Sequence, residues 1–225
     1  MMLHSKVNHM NVVKFDRWCL DGDFPILVYE SANASLRDIL FGYCSEYYTF
    51  LPEERFWIAI SIAEGLSYLH SLGIVHGDVR SANVLFVNVN PNCGPQKLNV
   101  MENCELYRKM RIKVSGIEAS VYLSLDKTAH ERIKAEASPK KEKRIKADEH
   151  NGYVDPRFLE SGILTKEGDG YSLGVVLLEL FTGEMASNHT RNCQLEELWD
   201  NEVCRHIAGT RTIIFRCLDP DIRKR

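Results

Sequence analysis

Residues 74 to 86 read IVHGDVRSANVLF, which places an imidazole (His76), a carboxylate (Asp78), a guanidinium (Arg80) and a carboxamide (Asn83) close together in sequence. Apolar residues lead in and lead out, so the polar groups belong to a loop that leaves one buried segment and enters another. Two uses are open. Asp78 can do chemistry, or Asp78 and Asn83 can cap a turn between a helix and a strand, as Asp and Asn often do.

The elements that must hold this loop are legible on both sides. In PEERFWIAISIAEGLSYLHSLG (52 to 73), Phe56, Ala59, Ile60, Ala63, Leu66 and Leu69 recur at helical spacing, with Pro52 and two glutamates suited to the first turn and Gly73 to the stop. NVLF then reads as a short strand. Upstream, FPILVYESA (24 to 32) is a strand running into a polar connection, and ASLRDIL begins a short helix. Downstream, DGYSLGVVLLELFTGE is a buried helix ended by Gly183, and LEELWDNEVCRHI an amphipathic one.

Between them, residues 87 to 150 read as irregular: VNVNPNCGPQ is turn-rich, KMRIKVSGIEASVYLSL has strand character, and SPKKEKRIKADEH is expected to be a charged, mobile segment. SPKKEKRIK carries five basic residues and one acid, a solvated loop or a docking or phosphorylation segment around Ser138. RIKAE nearly recurs as RIKAD, a local duplication too short for a repeat fold.

Composition narrows the class. The 225 residues are 44% hydrophobic, enough for one good-sized core or two unequal lobes. A net charge of -3 gives no general attraction to nucleic acid or anionic lipid. Seven cysteines, at 19, 44, 93, 104, 193, 204 and 217, form no C-x-x-C pair, which reads as reduced thiols in a cytosolic protein. No apolar run approaches the ~20 residues of a membrane span, and the first fifteen residues lack a signal-peptide centre.

Taken in order, NHMNVVKF, FPILVYES, GLSYLH, IVHGDVRSANVLF, GYVDPRF, DGYSLGVVLLELFTGE and CLDPDIRKR resemble a eukaryotic protein kinase, most closely plant receptor-like kinases of the wall-associated type and their cytoplasmic relatives. The resemblance implies an α+β, protein kinase-like fold: mainly the helical C-lobe (29 to 225, with an irregular insertion and activation segment at about 87 to 150) and a partial N-lobe remnant (1 to 28). Strands in that remnant would leave apolar edges that need cover from another chain or invite aggregation.

It also implies roles. Asp78 matches the catalytic aspartate, Arg80 stands where a lysine usually meets the transferred phosphate, and Asn83 matches a magnesium ligand. Tyr29 resembles the residue gating the back of the nucleotide pocket, Glu30 to Ala32 the hinge, and Leu85 the leucine beneath adenine. His76 resembles part of the internal apolar stack, and Asp169 the helix aspartate that hydrogen-bonds the catalytic-loop backbone.

Departures from the pattern are specific. Gly77 replaces the arginine that pairs with a phosphorylated activation loop. The second metal ligand, an aspartate before phenylalanine and glycine, is missing: IKVSGIEAS sets Gly116, Ile117 and Glu118 at the triplet, and a second frame through QKLNVMENC offers Val100, Met101 and Glu102. No aspartate occurs between Asp78 and Asp126. Magnesium needs hard oxygen ligands, and Glu118 arrives two positions late. The glycine-rich loop, strand lysine and its glutamate partner would precede Met1. Arg157 stands where the family's glutamate meets an arginine, here Arg225, so this latch is expected to be open or rebuilt, and His150 falls near the place of a missing threonine.

These residues lead to an inactive protein kinase, a pseudokinase acting as a protein-interaction scaffold in plant receptor-like kinase or immune signalling. Its partners would be proteins of the kinase, immune-receptor or effector type, not nucleic acid, and its place the cytoplasm or, through partners, the inner face of the plasma membrane. No cofactor is expected. The alternative is an active or residually active serine/threonine kinase represented by an incomplete sequence, using ATP and magnesium. A third reading is an unstable remnant without a molecular role.

Overall fold

The computed structural model describes residues 7–21, 24–42, 50–88, 110–122, 152–185 and 208–225. In chain order the elements are β1 (Phe15–Asp21), β2 (Phe24–Tyr29), β3 (Ala34–Ser35), α1 (Leu36–Phe41), α2 (Pro52–Ser71), β4 (Ile74–Val75), β5 (Val84–Asn88), β6 (Met110–Val114), β7 (Val121–Tyr122), α3 (Pro156–Ser161), α4 (Lys166–Thr182) and α5 (Ala208–Leu218). They fall into two compact units: residues 1–69 with 82–118, and 70–81 with 119–225.

In the first unit, β3, β5 and β6 form an antiparallel sheet in which Leu85 faces Ser35 on one side and Lys113 on the other. The segment before β1 lies along β6: Val13 N–H donates to Val114 O (2.9 Å), and Val114 N–H to Asn11 O (2.8 Å). Val84, Phe86, Ile112, Val114, Ile58, Ile62 and Leu66 are buried, each contributing on the order of 1.5–3 kcal/mol from area removed from water. Phe50 stacks on Phe86 at 6.0 Å between centroids. Ser35 opens α1 with a capping box: its hydroxyl accepts from Asp38 N–H, and Asp38 answers to the Ser35 N–H. β1 and β2 make a separate two-stranded antiparallel ribbon on which Trp18, Leu20 and Ile26 are exposed.

The long helix α2 bears out Leu66 and Leu69 of the expected apolar face and corrects the rest. Ile58, Ser61, Ile62, Gly65, Leu66 and Leu69 are buried, whereas Phe56, Ile60 and Ala63 are exposed and Ala59 is half-buried. The reason is close approach: a Cβ on Gly65 would stand 2.6 Å from Asn11 O and 3.1 Å from a Val114 methyl. Gly65 meets the incoming backbone at Asn11, with the small Ser61 buried one turn before it, and the larger Phe56 and Ile60 turn outward. Arg55 is buried with it, its Nε donating to Phe50 O at 3.0 Å.

In the second unit, β4 pairs with β7, and α4 is its buried spine, with Val175 to Phe181 almost wholly covered. Thr165 caps α4 by accepting from Gly168 N–H, and Gly183 ends it in the left-handed region (φ 75°). α5 packs so tightly on α4 that a Cβ on Gly174 would meet Cys217 Cβ at 2.6 Å. The amphipathic helix expected over LEELWDNEVCRHI, the RIKAE and RIKAD pair, the SPKKEKRIK run with Ser138, the QKLNVMENC frame, Asp126 and His150 lie outside the described residues.

Candidate functional site

The loop after β4 belongs to the second unit and is held by one carboxylate. Asp169, 2% exposed on α4, accepts from His76 N–H at 2.7 Å through one oxygen and from Gly77 N–H at 2.8 Å through the other. The first oxygen also meets His70 Nε2 at 2.8 Å. A carboxylate accepting backbone N–H groups at both oxygens fixes the loop's path and meets donors that burial would otherwise leave unmade. His76 is fully buried, and its Nδ1 accepts from Asp78 N–H at 3.1 Å. Gly77 has φ 74°, and a Cβ there would touch the Leu164 side chain at 3.0 Å, so the position favours glycine on backbone and packing grounds.

Asp78 and Arg80, both about a quarter to a third exposed, face each other with 3.5 Å between Arg80 Nη2 and Asp78 Oδ2. A second polar chain starts at the next residue, Ser81. Ser81 Oγ lies 3.0 Å from the Tyr153 hydroxyl, which donates to Glu179 Oε1 at 2.6 Å, and Ser172 Oγ donates to Tyr153 O at 2.7 Å. Sequence reasoning missed Tyr153 and Glu179; a tyrosine beside a glycine and a glutamate within an apolar helix were the available signals.

The remaining candidates lie in the first unit. Asn83 closes the 3-10 turn Ser81–Asn83, and its main-chain oxygen accepts from Ser115 N–H (2.8 Å) and Ser115 Oγ (3.0 Å). That contact and the β5–β6 register, Val84 facing Val114, carry the chain directly into Gly116. Gly116 has φ 85°, and a Cβ built on it would stand 2.7 Å from Asn83 Nδ2 and 2.9 Å from Asn83 Cγ. The Asn83 carboxamide therefore occupies the space from which a side chain at position 116 would project.

Tyr29 touches the Phe15 ring edge-on, at 5.7 Å between centroids. Burial, and then the charge of Glu118, push its phenol up to about 12. Glu118 itself is exposed in the 3-10 turn Ile117–Ala119. Glu30 Oε1 accepts from Lys14 N–H (2.5 Å) and from Lys113 Nζ (2.5 Å). The Lys113 side chain is 7% exposed, so this is a largely buried ion pair that ties the end of β2 to β6. Lys113 was absent from the sequence-derived candidates; it lies opposite Leu85, which is half-buried, and Ala32 is half-buried in the connection to β3. The structure thus gathers His76, Asp78, Arg80 and Asp169 in one unit, and Tyr29, Glu30, Ala32, Asn83, Leu85, Gly116 and Glu118 in the other.

A magnesium ion held between Asn83 and an aspartate does not fit these residues. Gly116 brings no oxygen-bearing side chain, and the space in front of it is taken by the Asn83 amide. Among the described residues no three His, Cys, Asp or Glu side chains converge as a metal site.

The latch is rebuilt, which settles the expectation left open by Arg157. Arg225 meets Asp155 instead: Nη1 bonds Asp155 Oδ2, and Nη2 donates to Asp155 Oδ1 at 3.3 Å. Arg157, two residues on in α3, is exposed, so the two cations do not oppose each other across the latch.

The family model for protein tyrosine and serine/threonine kinases matches residues 1–212. Among curated proteins of Arabidopsis thaliana, wall-associated receptor kinase-like 10 is 32% identical over 88% of this chain and 22% of its own length. Wall-associated receptor kinase-like 1 is 34% identical over 85% of this chain and 22% of its own length. For wall-associated receptor kinase 1 the figures are 33%, 83% and 21%. The chain spans about a fifth of the length of these relatives. No helix among the described residues is long and apolar enough to cross a membrane.

Proposed function

This chain belongs to the protein tyrosine and serine/threonine kinase family, and from that premise we propose that it is a pseudokinase of the receptor-like kinase group, acting by protein recognition and not by phosphotransfer. The observation that carries the reading is the Asn83–Gly116 arrangement. Where the family holds a metal-binding aspartate, this chain has a glycine with the neighbouring carboxamide packed against it. Phosphoryl transfer rests on positioning and on neutralising phosphate charge, largely through metal ions. A centre that cannot seat the metal loses that stabilisation.

Recognition then falls to the surface of the domain, with protein partners of the kinase, immune-receptor or effector class in plant signalling at the cytoplasmic side of the membrane. Similarity to wall-associated receptor kinases supports the setting. The competing reading, an active serine/threonine kinase, is favoured by Asp78, Arg80 and Asn83, whose residue types match a catalytic loop.

Thermal unfolding with and without ATP, each with and without magnesium, separates the two. Ligand at ~100 times its dissociation constant adds about 2.7 kcal/mol, and at roughly 2–4 °C per kcal/mol the shift is plain. A cooperative melt unmoved by either addition is the expected result. A magnesium-dependent rise, followed by peptide phosphorylation that Asp78→Asn abolishes, overturns the proposal.

A further inference from the structure

We propose that β1 is a self-pairing edge: two copies of this chain associate by antiparallel pairing of their Arg17–Asp21 segments about a two-fold axis at Cys19.

The ribbon β1–β2 has two outer edges, and among the described residues neither is paired. They are not equivalent. Pro25 lies opposite Leu20 and has no N–H. Residues of an antiparallel ladder alternate between bonding the facing strand and turning their N–H and C=O outward, and proline within a sheet takes the outward position. Pro25 therefore blunts the outer edge of β2. The same phase turns the N–H and C=O of Leu20, and of Trp18 two residues before it, onto the free edge of β1.

That free edge has one favoured centre. The register of β1 shifts between Phe15 and Arg17, so the regular ladder begins at Arg17, runs to Asp21 and has Cys19 at its midpoint. The five residues read Arg-Trp-Cys-Leu-Asp. An axis at Cys19 sets Arg17 opposite Asp21 of the second copy, Trp18 opposite Leu20 and Cys19 opposite itself. Opposite charges and apolar pairs then coincide at every facing position. The outward-turned groups must face each other, so the axis can move only by a whole residue; at Trp18 it sets Arg17 against Cys19 and Asp16 against Leu20, at Leu20 it sets Asp21 against Cys19, and either way the opposite-charge pair is lost.

The phase agrees with this register. Trp18 and Leu20, which turn their backbone groups outward, become hydrogen-bonded pairs across the axis, and Cys19 becomes the closely spaced non-bonded pair. Trp18 and Leu20 are 44% and 66% exposed, so the pairing covers apolar surface. Arg17 Nε bonds Asp16 at 2.8 Å, and a guanidinium carries further N–H donors besides Nε. Five residues per copy make a small interface, hence a reversible dimer that forms with rising concentration.

Sedimentation equilibrium from roughly 5 to 500 µM, the range suited to a small interface, should show monomer and dimer in exchange. Arg17→Asp and Asp21→Arg should each weaken association by about tenfold, because each like-charge opposition occurs twice about the axis. Arg17→Asp combined with Asp21→Arg restores opposite charges and should return association to within about threefold of wild type. A second test needs no substitution: equal amounts of nitrogen-14 and nitrogen-15 chain are treated with a short bis-maleimide, and heavy–light peptides joined Cys19 to Cys19 are sought by mass spectrometry. A wild-type chain that stays monomeric, a double reversal as weak as the single ones, or cross-links that omit Cys19 overturns the proposal, including in favour of a different protein covering this edge.

Discussion

Arg225 closes on Asp155 with both terminal nitrogens of its guanidinium, while its Nε donates to Asp219 O at 2.6 Å and its charge lies over the Tyr171 ring at 5.1 Å. The two side chains are 3% and 5% exposed. Asp155 has a second duty, since its Oδ1 also accepts from Arg157 N–H and caps α3. Removing one partner leaves a buried charge without its counterion, which costs about 3–5 kcal/mol. Arg225→Ala and Asp155→Ala should each lower the melting temperature by about 10 °C, with the double variant well short of the sum. Arg157→Glu, which returns the family's residue, should change stability by less than about 0.5 kcal/mol, because Arg225 is already engaged.

Asp169 predicts a different loss. Asp169→Ala takes the acceptor from the N–H groups of His76 and Gly77 together. At about 1–3 kcal/mol for each buried donor left unmade, the variant should lose roughly 3 kcal/mol, read from the urea midpoint at unchanged slope. Asp169→Asn should recover only part, since one oxygen is replaced by a donor facing a donor.

Gly116→Asp tests the carboxamide contact. The substitution demands a left-handed residue with a Cβ and a shift of Asn83, so stability should fall by about 1–3 kcal/mol. Adding Asn83→Ala relieves the contact but not the backbone cost. The double variant should therefore be more stable than the sum of the two single changes, measured by chemical denaturation.

Tyr29 gives a pH signature. Its phenol titrates at about 12 in the folded chain and at about 10 when unfolded. Its stabilising contribution is fully present below about pH 10 and is lost as pH rises toward about 12. Tyr29→Phe keeps the ring beside Phe15 and removes the titration. In pH-dependent melts, the difference between wild type and variant should be flat below about pH 9 and change only across that alkaline window.

Helices were the most legible elements because their ends carry local chemistry. Pro52 and the two glutamates mark the start of α2, and the positive-φ Gly73 and Gly183 follow the ends of α2 and α4. The inward face of α2 was legible only toward its end, where Leu66 and Leu69 are buried as expected. Hydropathy favours Phe56 and Ile60, whereas the neighbour against that helix is the backbone of Asn11, which selects for absence of volume. Pair partners were hidden for a related reason. Nothing local in the sequence indicates that Lys113 reaches Glu30, or that Arg225 takes Asp155 over the residue two places on, because those choices follow from strand register and from the cap of α3.

The contact between Asn83 and Gly116 also bears on the routes by which this sequence can change. A single codon change from glycine to aspartate at 116 would supply a carboxylate, yet the resulting chain meets the Asn83 amide and bears the left-handed backbone at once. An aspartate at 116 therefore costs folding stability whatever chemistry its carboxylate could supply. Replacing Asn83 first surrenders the other residue such a centre needs. The two positions constrain each other, because in this chain a side chain at 116 and the amide of Asn83 compete for one space.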